Sequence, residues 1–198
     1  MTNSDTRQNI VAAADELFYQ RGFEGASFAD IAAQVGISRG NFYHHFKTKD
    51  DILNAVIAAR LEHTRAMIKV WELESESPRA RIQSYIDILV ANRAKIKKYG
   101  CPVGELCTEL AKLGHPARAE ANKLFTLFRV WLRRQFALLG REAEADALAM
   151  YVLSRSQGAA VMASAFHDEK FLKSEARDLS AWLDARVTEA ANPANAEV

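Results

Sequence analysis

The chain has 198 residues, 49% of them apolar, and a formal net charge of +1. This length allows one or two small domains with a buried core and needs no disulfide or metal staples. The balanced charge does not by itself indicate a nucleic-acid partner. No apolar run approaches the roughly 20 residues of a membrane helix, and the polar start MTNSDTRQN lacks the apolar core of a signal peptide. With two cysteines and no export signal, we expect a cytoplasmic protein with reduced thiols and no membrane partner.

Helical spacing of apolar residues dominates the chain, and no useful stretch alternates polar and apolar residues as a strand does. The first predicted helix runs from about Thr6 to Arg21 and ends at Gly22. Further helices are predicted to start near residues 28, 39, 49, 78, 102, 116 and 142, and the last runs from about Ser174 to Ala190. We therefore predict an all-α fold of about nine helices.

The stretch SFADIAAQVGISRGNFYHHFKTK, residues 27–49, has the pattern of a helix-turn-helix. Ser27 can cap a short helix with one apolar face. Gly36 follows that helix at a position where a left-handed residue often ends it, and Ser38 can cap a second helix. In such a unit the first helix crosses the DNA backbone and the second lies in the major groove.

The second helix of this unit carries side chains suited to DNA. Arg39 and Asn41 can pair with guanine and adenine edges in the major groove. Phosphate contacts that set the register fit a second group, Tyr43, His44, Lys47 and Ser27. A solvated basic helix face would produce the same pattern. A zinc site is not expected, because His44 and its neighbour His45 point about 100° apart and no carboxylate or cysteine lies near them; we predict no metal and no cofactor.

The residues FADIAAQVG and ISRGNFYHHFKTKDDIL together resemble the DNA-binding signature of TetR-type transcriptional regulators. The turn, the recognition helix, the Tyr-His-x-Phe-Lys sequence and the start of the next long helix match in register, over about residues 6–60. The resemblance implies DNA contacts by Arg39, Tyr43, His44 and Lys47. It also implies that Gly40 lets the helix approach the groove. Asn41 stands where relatives more often have Thr, so no target sequence is inferred.

The resemblance further implies how the chain is divided and what it does. We expect a helix-turn-helix DNA-binding domain at 1–48, an effector-binding and dimerisation domain at 49–191, and a frayed tail at 192–198. A homodimer would bind a palindromic operator in double-stranded DNA. The expected function is a transcriptional regulator, a repressor released by a small-molecule effector or by thiol modification.

Two groups of residues are candidates for sensing the effector, which we expect to be electrophilic or aromatic and apolar. One is an aromatic set on the middle helices that could line a pocket, although core packing would give the same pattern: Trp71, Tyr85, Phe125, Phe128 and Trp131. The other is Cys101, at a predicted helix N-terminus that favours a thiolate, with Cys107 six residues on. Helix geometry argues against a bridge between the two cysteines. The alternative is that Cys101 only fills a tight turn.

The last two predicted helices are candidates for the dimer interface. Their stripes contain small and apolar residues suited to close helix packing: Leu148, Val152, Ala159 and Ala163 on one, and Leu179, Trp182, Leu183 and Val187 on the other. The resemblance implies a four-helix bundle formed by two helices from each subunit. The alternative is that these residues form the core of a single chain.

Two other classes of protein fit the composition less well. A helical binding or scaffold protein could carry the motif without binding DNA, but Arg39, Lys47 and Lys49 argue against a lost DNA function. A small helical enzyme could use Cys101, yet we find no nucleophile–base pair, phosphate loop or paired carboxylates in the sequence. We therefore do not expect an enzyme.

Overall fold

The computed structural model describes residues 3–191, and within that range it contains helices and no strand. The prediction of an all-α fold is confirmed. The predicted tail at 192–198 lies outside the described residues. None of the described helices combines the length and apolar character that a membrane crossing requires.

The helices are α1 (Asn3–Gly25), α2 (Phe28–Val35), α3 (Arg39–His45), α4 (Lys49–Glu74), α5 (Pro78–Ala91), α6 (Arg93–Tyr99), α7 (Pro102–Lys112), α8 (Arg118–Ala121), α9 (Lys123–Leu138), α10 (Ala145–Ala165) and α11 (Glu169–Ala191).

Two interruptions explain why the described range has more helices than the nine predicted. α5 and α6 are separated only at Asn92, whose side-chain amide turns back to donate to the Ile88 carbonyl at 3.1 Å. α8 and α9 are separated only at Asn122. Counting each interrupted pair as one helix gives the predicted number.

Two helix ends differ from the prediction in instructive ways. α1 does change direction at Gly22, which has φ 79° and ψ 164°, but a further helical turn continues to Gly25. α11 begins at Glu169, five residues before the predicted start at Ser174. Its first turn is capped by Asp168, whose Oδ1 accepts from the backbone N–H groups of Lys170 and Phe171 at 2.8 and 3.0 Å.

Internal contacts divide the chain into two compact units. The N-terminal unit comprises the described residues up to Thr64 together with Pro102–Leu124, and the C-terminal unit comprises Arg65–Cys101 together with the described residues from Phe125 onward. The predicted boundary between residues 48 and 49 divides the chain by function, into DNA-binding and effector-binding domains, and not by packing. That boundary stays a prediction. In terms of packing, α7 and α8 belong with the first three helices.

The N-terminal unit is built on α1, with α2 and α7 packed against it. Its core is formed by apolar side chains of the first four helices and of the segment after the kink in α1; the large buried side chains include Ile10, Leu17, Phe18, Phe23, Ile31, Phe42, Phe46, Ile52, Leu53 and Ile57. Arg60 on α4 links three helices by hydrogen bonds, because it donates to Asp15 on α1 and to the Pro102 carbonyl at the start of α7, each at 2.6 Å.

The C-terminal unit packs α5 and α6 against α10 and α11. The predicted aromatic set lies in its core: Trp71 and Trp131 have ring centroids 5.3 Å apart, and Tyr85 meets Phe128 edge-on at 5.1 Å. Phe125 is half-buried at the edge of the same cluster. The aromatic spacing therefore does pack the interior of this unit, as the alternative interpretation predicted.

The stripe predicted as the dimer interface lies largely in the core of its own chain, and its role in a dimer stays a prediction. Five of its eight residues are buried within their own chain, because the small residues let α10 pack closely on its neighbours: Val152, Ala159, Ala163, Leu179 and Leu183. Leu148, Trp182 and Val187 are half-buried. The apolar side chains that α10 exposes lie on another face of the helix and were not predicted: Met150, Tyr151, Val161, Met162 and Phe166.

The hydroxyl groups of Tyr85 and Ser156 form a buried hydrogen bond in this core, and its contribution to stability can be measured. Ser156 Oγ donates to the Leu153 carbonyl at 2.8 Å, so the 2.9 Å bond with Tyr85 must be donated by the phenol. Ser156→Ala leaves that phenol without its acceptor, and we expect the free energy of unfolding to fall by about 1–3 kcal/mol. Denaturant unfolding measures this. Tyr85→Phe in the Ser156→Ala background should recover part of the loss; a further loss instead would contradict the assigned bond.

Candidate nucleic-acid interface

The start of α2 is fixed by a reciprocal cap between Ser27 and Asp30. Ser27 Oγ accepts from the Asp30 backbone N–H at 3.2 Å, and Asp30 Oδ2 accepts from the Ser27 backbone N–H at 3.0 Å. The Ser27 hydroxyl also donates to Asp30 Oδ2 at 2.5 Å. The hydrogen bonds from Ser27, aided by the charge of Arg21, lower the pKa of Asp30. Ser27 is therefore a structural cap of α2, and the residue is exposed.

The turn between α2 and α3 is set by Gly36, which has the left-handed φ of 74°. Its N–H donates to the Ala32 and Ala33 carbonyls, and that of Ile37 also returns to Ala32, so the end of α2 is closed. Ser38 then caps α3 by accepting from the Asn41 N–H at 3.3 Å. α3 is thereby presented as a separate short helix.

All of the residues predicted to contact DNA are exposed in the structure: Ser27, Arg39, Gly40, Asn41, Tyr43, His44 and Lys47. The buried side of α3 is held by Phe42, which packs against Phe28 with centroids 5.2 Å apart. Phe28 also meets the Tyr43 ring edge-on at 5.6 Å. The candidate residues therefore share the outward side of one unit.

A recess of about 200 Å³ lies between α2 and α3. Three of the predicted residues meet at this recess, and α2 and α3 supply apolar walls; its lining is Ser27, Phe28, Ala29, Ala32, Arg39, Phe42 and Tyr43. Asn41, His44 and Lys47 are not part of the lining. The arrangement offers a guanidinium, a phenol and a hydroxyl around a small apolar concavity.

The two lysines after α3 have roles that the sequence did not predict. Lys47 Nζ donates to the Tyr43 carbonyl at 2.6 Å, which caps the C-terminal turn of α3. Lys49 Nζ donates to the Glu24 carbonyl at 3.1 Å and lies 4.5 Å from the Phe23 ring centroid. Both ammonium groups thus stabilise backbone near the candidate interface, and Lys47 remains exposed.

The candidate effector residues do not form one group. Neither cysteine forms a disulfide within the described residues. Cys107 is buried on α7 in the N-terminal unit, whereas Cys101 is half-buried in the C-terminal unit, which also contains the aromatic set. Burial raises the pKa of Tyr85; the bond with Ser156 opposes this rise and the nearby Cys101 thiol adds to it. The two cysteines therefore lie in different units, and only Cys101 shares a unit with the aromatic set.

Comparison with known proteins matches both parts of the chain to one family. The model of bacterial regulatory proteins of the tetR family matches residues 10–56, which include α2 and α3. The model of the LmrA/YxaF-like transcriptional regulator C-terminal domain matches residues 78–178, about half of the chain. The chain belongs to the TetR family. It is a DNA-binding transcriptional regulator whose helix-turn-helix is formed by α2 and α3.

Relatives of this TetR-family regulator carry the same description. An HTH-type transcriptional regulator in the lacX 3′ region of Lactococcus lactis is 30% identical over 62% of this chain, and the match spans 63% of its length, slightly under two thirds. The repressor DhaR of a Mycobacterium species is 25% identical, with 80% of this chain and 82% of DhaR covered. A TetR-family regulator from Agrobacterium tumefaciens shares the fold with a TM-score of 0.79 at 22% identity, covering 91% of this chain and 98% of that one.

Proposed function

We propose that this regulator is a homodimeric repressor that binds a palindromic operator in the bacterial cytoplasm and is released by a small-molecule effector or by thiol modification. The observation that carries the DNA-binding part is the exposed, doubly capped α3 with Arg39, Asn41 and Tyr43 outward. DhaR, a relative, is named a repressor, which favours repression over activation.

Within that function we assign two kinds of DNA contact. Arg39 and Asn41 lie in the first turn of α3, where a recognition helix meets base edges. Tyr43, His44 and Lys47 contact phosphates and set the register. Ser27 joins them when its hydroxyl proton turns from Asp30 to a phosphate oxygen. Gly40 lies between the two base-reading residues, exposed, and its missing side chain lets α3 approach the bases.

Arg39→Ala and Lys47→Ala should separate these two kinds of contact. Arg39→Ala removes a base contact, so we expect a loss of about 1–3 kcal/mol on the preferred duplex and a relaxed base preference. Lys47→Ala should weaken binding to all duplexes and reduce the salt slope by about one contact. The measurement is binding to duplexes selected by the wild type from a random pool, over a salt series.

The control for lost charge is Lys170→Ala, which removes an exposed lysine at the start of α11. This variant should change neither the salt slope nor the base preference. An unchanged salt slope for Lys47→Ala would show that Lys47 serves only as the cap of α3.

We further propose that the exposed apolar face of α10 forms the dimer interface. The supporting observation is that five large apolar side chains are exposed on α10 and at the residue directly after it: Met150, Tyr151, Val161, Met162 and Phe166. Tyr151 stacks on Trp182 of α11 with centroids 4.3 Å apart, so the half-buried Trp182 extends this surface. A two-fold contact along this face would pack α10 of one subunit against α10 of its partner, as in closed symmetric dimers.

Met162→Glu should give monomers, because it would bury an unpaired charge in the interface. Met162 is 42% exposed within one chain, so its replacement spares the core that Trp182→Glu would disturb. Sedimentation measures the assembly, and operator binding should be lost with it. Val130→Glu is the matched control, because Val130 is 53% exposed on α9. An intact dimer for Met162→Glu would refute this interface.

For the effector we propose an electrophilic or aromatic, apolar compound sensed in the C-terminal unit. Support comes from the half-buried Cys101 and from the aromatic set packed in the same unit: Trp71, Tyr85, Phe125, Phe128 and Trp131. Cys107 lies buried in the other unit. We therefore assign reaction with an electrophile to Cys101 and not to Cys107.

An unsaturated aldehyde should release the operator from the wild type. The Cys101 thiolate adds to the β-carbon, the carbon–carbon π bond breaks, and the α-carbon takes a proton from water. Cys101→Ser should resist release, and Cys107→Ser should respond like the wild type. The readout is the fraction of duplex bound against aldehyde concentration, with mass spectrometry of the adduct. Equal release from the Cys101→Ser variant would remove the thiol from the mechanism and leave the aromatic effector.

A further inference from the structure

A carboxylate on α7 holds residues 23–26, which comprise the last turn of α1 after the kink at Gly22 and the link to α2. We call these residues the connector. Glu109 Oε2 accepts from the backbone N–H of Phe23 at 2.7 Å, and Oε1 accepts from that of Glu24 at 3.0 Å. These amides follow the kink at Gly22, where a new helical turn starts and its first N–H groups lack carbonyl partners within the helix. Glu109 therefore acts as a helix cap supplied from another helix.

The kink is shaped for this carboxylate. Gly22 has φ 79° and ψ 164°, a combination that is essentially restricted to glycine. A Cβ at Gly22 would lie 2.9 Å from Glu109 Oε1, too close for an undisturbed contact. Both the backbone conformation and the missing side chain at Gly22 are thus needed for the approach of Glu109.

Other groups of the N-terminal unit hold the same short connector. Lys49 Nζ donates to the Glu24 carbonyl at 3.1 Å, so Glu24 is bonded on both sides of its peptide. The His115 ring, which follows α7, meets the Phe23 ring edge-on with centroids 5.2 Å apart. Ser27, the cap of α2, comes only three residues after Glu24. The position of the connector therefore determines where α2 begins.

We propose that Glu109 is a positioning residue for operator binding. Its carboxylate fixes the connector, and the connector fixes the direction in which α2 and α3 leave α1. This inference rests on the DNA-binding role of α3 but not on a particular effector or on the sign of regulation. The inference predicts weaker operator binding when Glu109 is replaced. Electrostatics alone would predict stronger binding, because the replacement removes a negative charge.

The test compares Glu109→Ala and Glu109→Gln with Glu105→Gln. Glu105 is an exposed carboxylate on α7, one turn before Glu109, so its variant removes the same charge and leaves the connector bonds intact. Affinity is measured for a duplex selected by the wild type from a random pool and for an unrelated duplex of equal length. We expect Glu109→Ala to weaken binding to the selected duplex about tenfold, from loss of two charge-assisted bonds, with binding to the unrelated duplex unchanged.

Further readouts separate positioning from a purely structural role. Hydrogen exchange at the Phe23 and Glu24 amides should accelerate in the Glu109 variants and not in Glu105→Gln. Glu109→Gln keeps one acceptor oxygen, so its selected-duplex affinity should lie between those of the wild type and Glu109→Ala. All binding is measured at a temperature where circular dichroism shows the variants folded.

The outcomes that overturn the proposal are distinct from those that overturn DNA binding itself. Faster exchange at Phe23 and Glu24 with unchanged preference for the selected duplex would mean that Glu109 only stabilises the fold. Equal weakening on both duplexes would also contradict a positioning role. If the wild type selects no duplex at all, the proposed function fails first, whatever the Glu109 variants do.

Discussion

The interface depends on keeping a helix of seven residues folded, although a helix this short is not stable alone in water. α3 is held by the burial of Phe42 within it and of Phe46 directly after it. Ser38 closes its first turn, and Lys47 closes its last by donating to the Tyr43 carbonyl. Because the buried side and both ends are fixed, Arg39, Asn41 and His44 of α3 can remain exposed.

The local parts of this arrangement were predictable because they involve neighbours in sequence. The caps at Ser27 and Ser38 and the left-handed Gly36 act over three or four residues, so residue type and spacing are enough to predict them. Glu109 could not be found in this way, since 85 and 86 residues separate it from its two partners. Sequence spacing likewise could not indicate that Lys49 would reach the Glu24 carbonyl.

The burial of the predicted α10 stripe within its own chain has a clear physical origin. Small residues at helical spacing permit close approach to another helix, but the pattern does not say whether that helix belongs to the same chain. In this protein the small residues Ala159, Ala160 and Ala163 are covered within the C-terminal unit. The larger Met162 and Phe166 are left exposed by that packing. The exposed large apolar side chains are the ones left available for contact with another chain, and they become visible only once the intrachain core is known.

A net charge of +1 cannot supply strong general attraction to DNA, so affinity must depend on where individual charges are held. Lys47 illustrates how one charge serves two purposes. Its ammonium lies at the negative end of the α3 dipole, which it stabilises through the Tyr43 carbonyl. An ammonium has three donors, and the side chain is exposed, so a phosphate can be bound without breaking that bond. If Lys47 contacts a phosphate as proposed, the cap restricts the lysine before DNA arrives and lowers the conformational entropy lost on binding.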